Sequence, residues 1–247
     1  MVYSCVASGD SLKSILSKAP DHGIGEALEA VHFVCCSFDE VAITDFLRHT
    51  PRLRTFRYSH STKNDGGPQD WDLCKFVTAI EREVGSHLVE LSISIRELRG
   101  SINPGKASMR GFHRLRQLEF PLEIVICNIT AAVSQLTTPD QSATNVLTYD
   151  ALSIVDLIPA SISRLAINSK GTDHHGQALA IMFREFAAEK ASQLPALKKI
   201  HLACPSEADD AYKTQCTKLL AETKQVGVIL QLEPWSGPAC IMAWEGE

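Results

Sequence analysis

No stretch of this 247-residue chain stays apolar for the roughly 18 residues that a membrane-spanning helix needs. The opening residues, Met1-Val2-Tyr3-Ser4-Cys5, carry no basic segment and no long apolar core, so a secretory leader is not expected. Positive charge is not in excess: 24 Lys and Arg stand against 29 Asp and Glu, for a formal net charge of -5. That balance argues against wholesale binding to nucleic acid or to an anionic membrane. None of the eight cysteines forms a CxxC pair, and their spacing fits no zinc template. Several lie inside apolar runs, such as Val34-Cys35-Cys36 and Val125-Ile126-Cys127, as buried thiols in a reducing compartment do. The expectation is an intracellular protein, cytoplasmic or nuclear, with no metal and no cofactor. Against these absences stands an ordinary globular composition, 45% hydrophobic and 21% charged.

What is present is a short recurring pattern, with apolar residues at its first, fourth and sixth positions. It occurs as Leu28-Glu29-Ala30-Val31-His32-Phe33, Leu53-Arg54-Thr55-Phe56-Arg57-Tyr58 and Leu88-Val89-Glu90-Leu91-Ser92-Ile93. It returns as Leu115-Arg116-Gln117-Leu118-Glu119-Phe120, Ile162-Ser163-Arg164-Leu165-Ala166-Ile167 and Leu197-Lys198-Lys199-Ile200-His201-Leu202. A seventh, weaker copy is Gly227-Val228-Ile229-Leu230-Gln231-Leu232. The last two apolar sites are two residues apart, so they share one face of a strand. This is the LxxLxL strand segment of a leucine-rich repeat. Successive first sites lie 25, 35, 27, 47, 35 and 30 residues apart, mostly longer than regular repeats of about 20–29 residues. The longest step contains the polar stretch Thr137-Thr138-Pro139-Asp140-Gln141-Ser142, and Asn64-Asp65-Gly66-Gly67-Pro68 marks another loop.

Helical patterns fill the intervals. Leu73, Val77, Ile80 and Val84 fall on one helix face behind possible N-caps Asp70 and Asp72. Ile43, Phe46 and Leu47 do so behind Ser37 or Asp39; Leu179, Met182, Phe183, Phe186 and Leu194 form one longer stretch; Tyr212, Cys216, Leu219 and Leu220 form another. Alternating strand and helix imply an α/β fold with a parallel sheet. A doubly wound sheet alternates likewise, but its strands should be apolar on both faces. Here His32, Arg57, Ser92, Glu119 and His201 separate the apolar sites. The pattern therefore predicts a single domain over residues 1–247, an irregular leucine-rich-repeat solenoid with the sheet on the concave face and the helices on the convex face. Repeats run from about 28 to 235, with residues 1–27 an N-terminal cap and 236–247 a C-terminal cap or tail. Pro234-Trp235 and Met242-Ala243-Trp244 are candidates to cover the last repeat.

The segments Leu115–Glu123, Leu194–Leu202 and Gly227–Leu232 resemble the repeat portion of fungal F-box proteins. In that family an F-box docks on a ubiquitin-ligase adaptor and the repeats hold the substrate. The resemblance implies a substrate receptor. No F-box-like helix start precedes Leu28, so adaptor docking is expected only where an F-box lies upstream.

Four strings bear on chemistry. Gly9-Asp10-Ser11-Leu12 matches the GDSL esterases, which would make Ser11 a nucleophile; the partner DxxH is missing, since position 198, three before His201, is Lys. Ser8 or Asp10 capping a short helix accounts for the same residues. Gly100–Ser108 approaches a P-loop, but Ala107 stands where the metal-binding hydroxyl should follow Lys106, which leaves a Gly/Pro turn. His174 and His175 read as a solvated loop, because adjacent histidines do not readily chelate one metal. Met182, Phe183 and Phe186 read as helix core.

The remaining expectation is noncatalytic protein binding on the concave face. Its outward positions are Ala30, His32, Thr55, Arg57, Glu90, Ser92, Gln117, Glu119, Arg164, Ala166, Lys199 and His201. Seven strands at about 4.8 Å would span roughly 29 Å, suited to a protein segment rather than a small metabolite. The signs are mixed and no basic stripe appears, so nucleic acid is not the expected partner. Arg57, and then Glu119, are the residues expected to carry most of the contact energy.

Overall fold

A computed structural model of the chain describes residues 25–62, 69–136 and 153–234. In chain order its elements are β1 (Ala30–Cys36), α1 (Glu40–Arg48), β2 (Thr55–Ser61), α2 (Leu73–Val84), β3 (Glu90–Glu97) and β4 (Gln117–Pro121). There follow α3 (Glu123–Leu136), α4 (Ile154–Leu157), β5 (Arg164–Asn168), α5 (Asp173–Met182) and α6 (Phe186–Gln193). The last are β6 (Lys199–Ala203), α7 (Asp210–Gln225) and β7 (Ile229–Glu233). The fold is α/β. The seven strands form one sheet in the order β1-β2-β3-β4-β5-β6-β7, and every neighbouring pair is parallel. The order never reverses, which removes the doubly wound alternative. Right-handed crossovers between sequential neighbours place their helices on one side of the sheet. The helices touch in succession, α1 with α2, α2 with α3, α3 with α5 and α5 with α7.

The register follows the sequence pattern residue for residue. Val31, Phe56, Leu91, Leu118, Leu165, Ile200 and Leu230 are successive partners across the sheet and are buried. The third apolar sites, Phe33, Tyr58, Ile93, Phe120, Ile167 and Leu202, are buried likewise, as are the first sites from Leu28 to Leu197. One hydrophobic core joins them to the helix faces from Leu28 to Leu230. Burying one large apolar side chain is worth roughly 1.5–3 kcal/mol, so the rows supply the main cohesion.

A repeated backbone device sets each strand against the last. The Glu29 carbonyl accepts from Arg54 N (2.7 Å) and Thr55 N (3.0 Å), and the Arg54 carbonyl accepts from Val89 N and Glu90 N. Val89, Arg116 and Ser163 each accept two successive amides of the next strand in the same way. The residue after the first apolar site therefore holds the start of the following strand, whatever the length of the connection.

Local chemistry explains the helix starts. Asp39 caps α1 by accepting from Ala42 N at 2.7 Å, and Asp72 caps α2 by accepting from Lys75 N at 2.9 Å. Two irregularities interrupt the ladder at its carboxyl edge. One extra residue sits on β1 between Phe33 and Cys36, where Cys35 has φ 56, and the pairing of β2 with β3 skips a residue after His60.

Several expectations need correction. The stretch 177–194 is two helices, not one, because Glu185 is left-handed (φ 64) and breaks the turn between α5 and α6. His174 and His175 lie in the first turn of α5, and His175 is buried. Leu220 is an exposed residue of α7. Helix α3 has an apolar, β-branched first half, Ile124, Val125, Ile126 and Ile129, that carries no polar face by which to recognise it. Residues 98–116 connect β3 to β4 without a helix. Lys106 is followed by irregular chain, so the strand–loop–helix setting of a P-loop is missing there. The caps at 1–27 and 236–247, Ser11, Trp235, Trp244 and the loops 64–68 and 137–142 lie wholly or largely outside the described residues, which include only 25–27 of the N-terminal stretch. No helix of the described residues is long and apolar enough to cross a membrane.

Leu118 is fully buried in the central strand. Leu118→Ala should lower unfolding free energy by about 2–5 kcal/mol in urea titration. A neutral result would show that its row is not the core.

Candidate binding face

The third and fifth positions of each copy point away from the helices and form two parallel rows. One row is Ala30, Thr55, Glu90, Gln117, Arg164, Lys199 and Ile229; the other is His32, Arg57, Ser92, Glu119, Ala166, His201 and Gln231. All eight residues singled out as contacts (His32, Arg57, Glu90, Gln117, Glu119, Arg164, Lys199 and His201) therefore stand on one face, opposite the described helices.

The face is not uniformly wet. Its centre is knitted by polar contacts between adjacent strands, a familiar source of sheet stability. Arg57 Nε donates to Glu90 Oε1 at 2.5 Å, with both side chains mostly sheltered. Glu119 is only 3% exposed; its carboxylate accepts from Ser92 Oγ at 2.7 Å and Asn168 Nδ2 at 2.9 Å. Burial pushes the Glu119 carboxyl above the usual carboxylate range, and the two hydrogen bonds and the Arg57 charge oppose that shift. His201 Nδ1 meets Glu233 Oε1 on the next strand. Burial, and then the Arg57 charge, hold the half-buried His32 ring below its ordinary pKa.

Arg57 and Glu119, the two strongest candidates in the sequence, are thus engaged within the sheet. By contrast, the side chains of His32, Gln117 and Lys199 form no hydrogen bond to a described residue, and Gln117 Oε1 is buried without a partner. These three hold hydrogen-bonding capacity that no described residue uses. Asn168 and Glu233 complete the network and were missed because they lie beyond the six-residue pattern. Continuing its period of two past Ala166 and Gln231 would have reached both.

A second polar cluster lies at the carboxyl ends of β4 and β5. Ser169 Oγ donates to His175 Nδ1 at 2.9 Å, and that nitrogen also accepts from Lys170 N at 3.1 Å. The ring proton therefore sits on Nε2, which is 3.9 Å from Glu123 Oε1, beyond hydrogen-bond range. The order of groups is that of a nucleophile, a base and an acid. Yet Ser169 is 4% exposed and its Oγ also accepts from Gly171 N at 3.0 Å, so the cluster locks the turn from β5 into α5. Among the described residues no group of three or more His, Cys, Asp or Glu is placed to hold a metal ion. All six described cysteines are free thiols, four of them buried.

No family model, no curated protein and no solved structure matches this chain.

Two outcomes are expected. Arg57→Ala should cost about 1–2 kcal/mol in urea titration, since it leaves the sheltered Glu90 carboxylate without its donor; no loss would show the pair to be incidental. Burial, followed by the Lys170 and His174 charges, lowers the His175 pKa to about 4 from 6.5. The stability contributed by its neutral ring is complete above pH 6.5 and lost as pH falls toward 4. His175→Gln should therefore flatten the fall of the urea midpoint across that window; an unchanged slope would exclude this assignment.

Proposed function

We propose that the chain is a noncatalytic protein-binding module, an irregular leucine-rich-repeat solenoid whose sheet face opposite the described helices holds a partner. One observation carries this reading: seven parallel strands in constant register present two continuous rows of mostly polar side chains on the side away from the helices. At roughly 29 Å long and of mixed charge, that face suits an extended protein segment with both donors and acceptors. His32, Gln117 and Lys199 make the direct contacts. Arg57, Glu90 and Glu119 fix the face in shape, so that little side-chain freedom is lost on binding. Arg164 and His201 border the same surface.

The resemblance to fungal F-box proteins extends the proposal. The partner is the substrate of a ubiquitin ligase, and this domain is the substrate-holding part of the ligase subunit. The buried thiols favour a reducing, intracellular setting.

The test compares crosslinked partners captured by the native chain, by His32→Glu/Lys199→Glu and by Val41→Glu. Val41 is an exposed residue of α1 on the helix side. A partner retained by native chain and Val41→Glu, but reduced at least tenfold by the face variant, is the expected result. Equal retention by all three overturns the assignment of the face. If the ligase reading holds, deleting the gene lengthens the captured partner's half-life; an unchanged half-life removes that part alone.

A further inference from the structure

A cavity of about 480 Å³ lies at the carboxyl ends of β1 and β2, on the helix side of the sheet. Ser37, Phe38, Asp39, Glu40, His60 and Trp71 contribute to its wall, together with Asp70, Asp72 and Lys75. None of the eight residues assigned to the binding face lines it.

Three of its four acidic groups have structural work: Asp39 and Asp70 use one oxygen each, and Asp72 uses both. Asp39 caps α1. Asp70 Oδ1 accepts from Ser101 N at 2.9 Å and Ser101 Oγ at 2.7 Å, which holds that carboxyl below its usual range. Asp72 caps α2 and pairs with Lys75 Nζ at 2.9 Å. The second oxygens of Asp39 and Asp70 and the Glu40 carboxylate meet no donor among the described residues, so the wall is net negative.

The acidic wall alone would be accounted for by helix capping. His60 and Trp71 are different. They stack with centroids 3.8 Å apart and planes 6° from parallel, and both are more than nine-tenths buried. Tyr58 has one hydroxyl proton, which it donates to the Cys36 carbonyl at 2.9 Å, while it accepts from Phe38 N at 2.8 Å. The 3.2 Å contact between Tyr58 and His60 Nδ1 therefore takes its proton from the imidazole. That fixes the Nδ1–H tautomer and leaves Nε2 as a bare acceptor. Burial keeps the ring neutral down to about pH 4. His60 Nε2 and Trp71 Nε1–H are both buried with no hydrogen-bond partner. Buried polar atoms are seldom left so, and an acceptor and a donor orphaned on one stacked pair at a cavity wall call for a ligand.

We propose that this cavity binds an arginine residue of a peptide segment, its guanidinium against Asp39, Asp70 and Glu40 and its peptide group against His60 Nε2 and Trp71 Nε1–H. The guanidinium supplies only donors, as carboxylate oxygens require, and its planar fork fits two of them at once. The arginine's own main-chain N–H and C=O are the donor and acceptor that the stacked pair lacks. The site is independent of the sheet-face proposal.

The test uses the full chain, N-acetyl-argininamide as probe and N-acetyl-citrullinamide as its uncharged isostere. The Trp71 indole N–H signal, assigned by its loss in Trp71→Phe, is followed in proton–nitrogen NMR spectra. A saturable shift with the arginine probe and none with the citrulline probe is expected. Asp39→Asn/Asp70→Asn should weaken binding roughly tenfold. It keeps both structural acceptors, since Asn caps helices as well as Asp does. Glu40→Gln, which disturbs no capping bond, should weaken binding in the same direction and serves if the double variant fails to fold. No saturable shift by about 10 mM, equal shifts with both probes, or native affinity in the carboxylate variants would each overturn the proposal.

Discussion

The register between neighbouring strands is the constraint on which this protein depends. Side chains alternate across a strand, so a slip of one residue between any two strands would send an apolar row outward and a charged row into the core. The chain guards against that slip with a forked hydrogen bond. The carbonyls of Glu29, Arg54, Val89, Arg116 and Ser163 each take two amides from the start of the next strand. Because the lock lies at the strand start, the connection that follows is free in length. The core rows stay aligned although their first sites are separated by 25 to 47 residues.

The polar side of the sheet is governed by the same register. Ser92 and Glu119 are direct partners across β3 and β4, and the Arg57–Glu90 pair runs diagonally between β2 and β3. Parallel pairing at this offset puts donors beside acceptors, so a nearly buried carboxylate such as Glu119 is tolerated. The charges of Arg57, Glu90 and Glu119 are thereby spent within the sheet. Shape and fixed polarity come from the members of the network, while Lys199 and His32 stand outside it.

Much of this was legible in the chain itself. Period two within six residues located every strand and its inward side, and even the weak copy beginning at Gly227 takes its expected place beside β6. Capping chemistry placed α1 and α2. Helix α3 was illegible because its first half is apolar apart from Glu123 and Asn128, and the break at Glu185 because nothing in Arg184-Glu185-Phe186 demands a left-handed residue. The outward residues were found as positions but not by what they bond to. A repeat pattern tells which way a side chain points; it does not tell that Arg57 reaches Glu90 or that Asn168 reaches back to Glu119. His60 and Trp71 escaped notice for a further reason. They are eleven residues apart in sequence and meet only because β2 and the approach to α2 fold over the same edge.

An unbroken ladder is degenerate under translation: each rung looks much like the next, and whatever docks on one could step to its neighbour. The extra residue at Cys35 and the skipped residue after His60 fall at the same corner, the carboxyl ends of β1, β2 and β3. They lift that degeneracy there. With them the array acquires a head distinct from its tail.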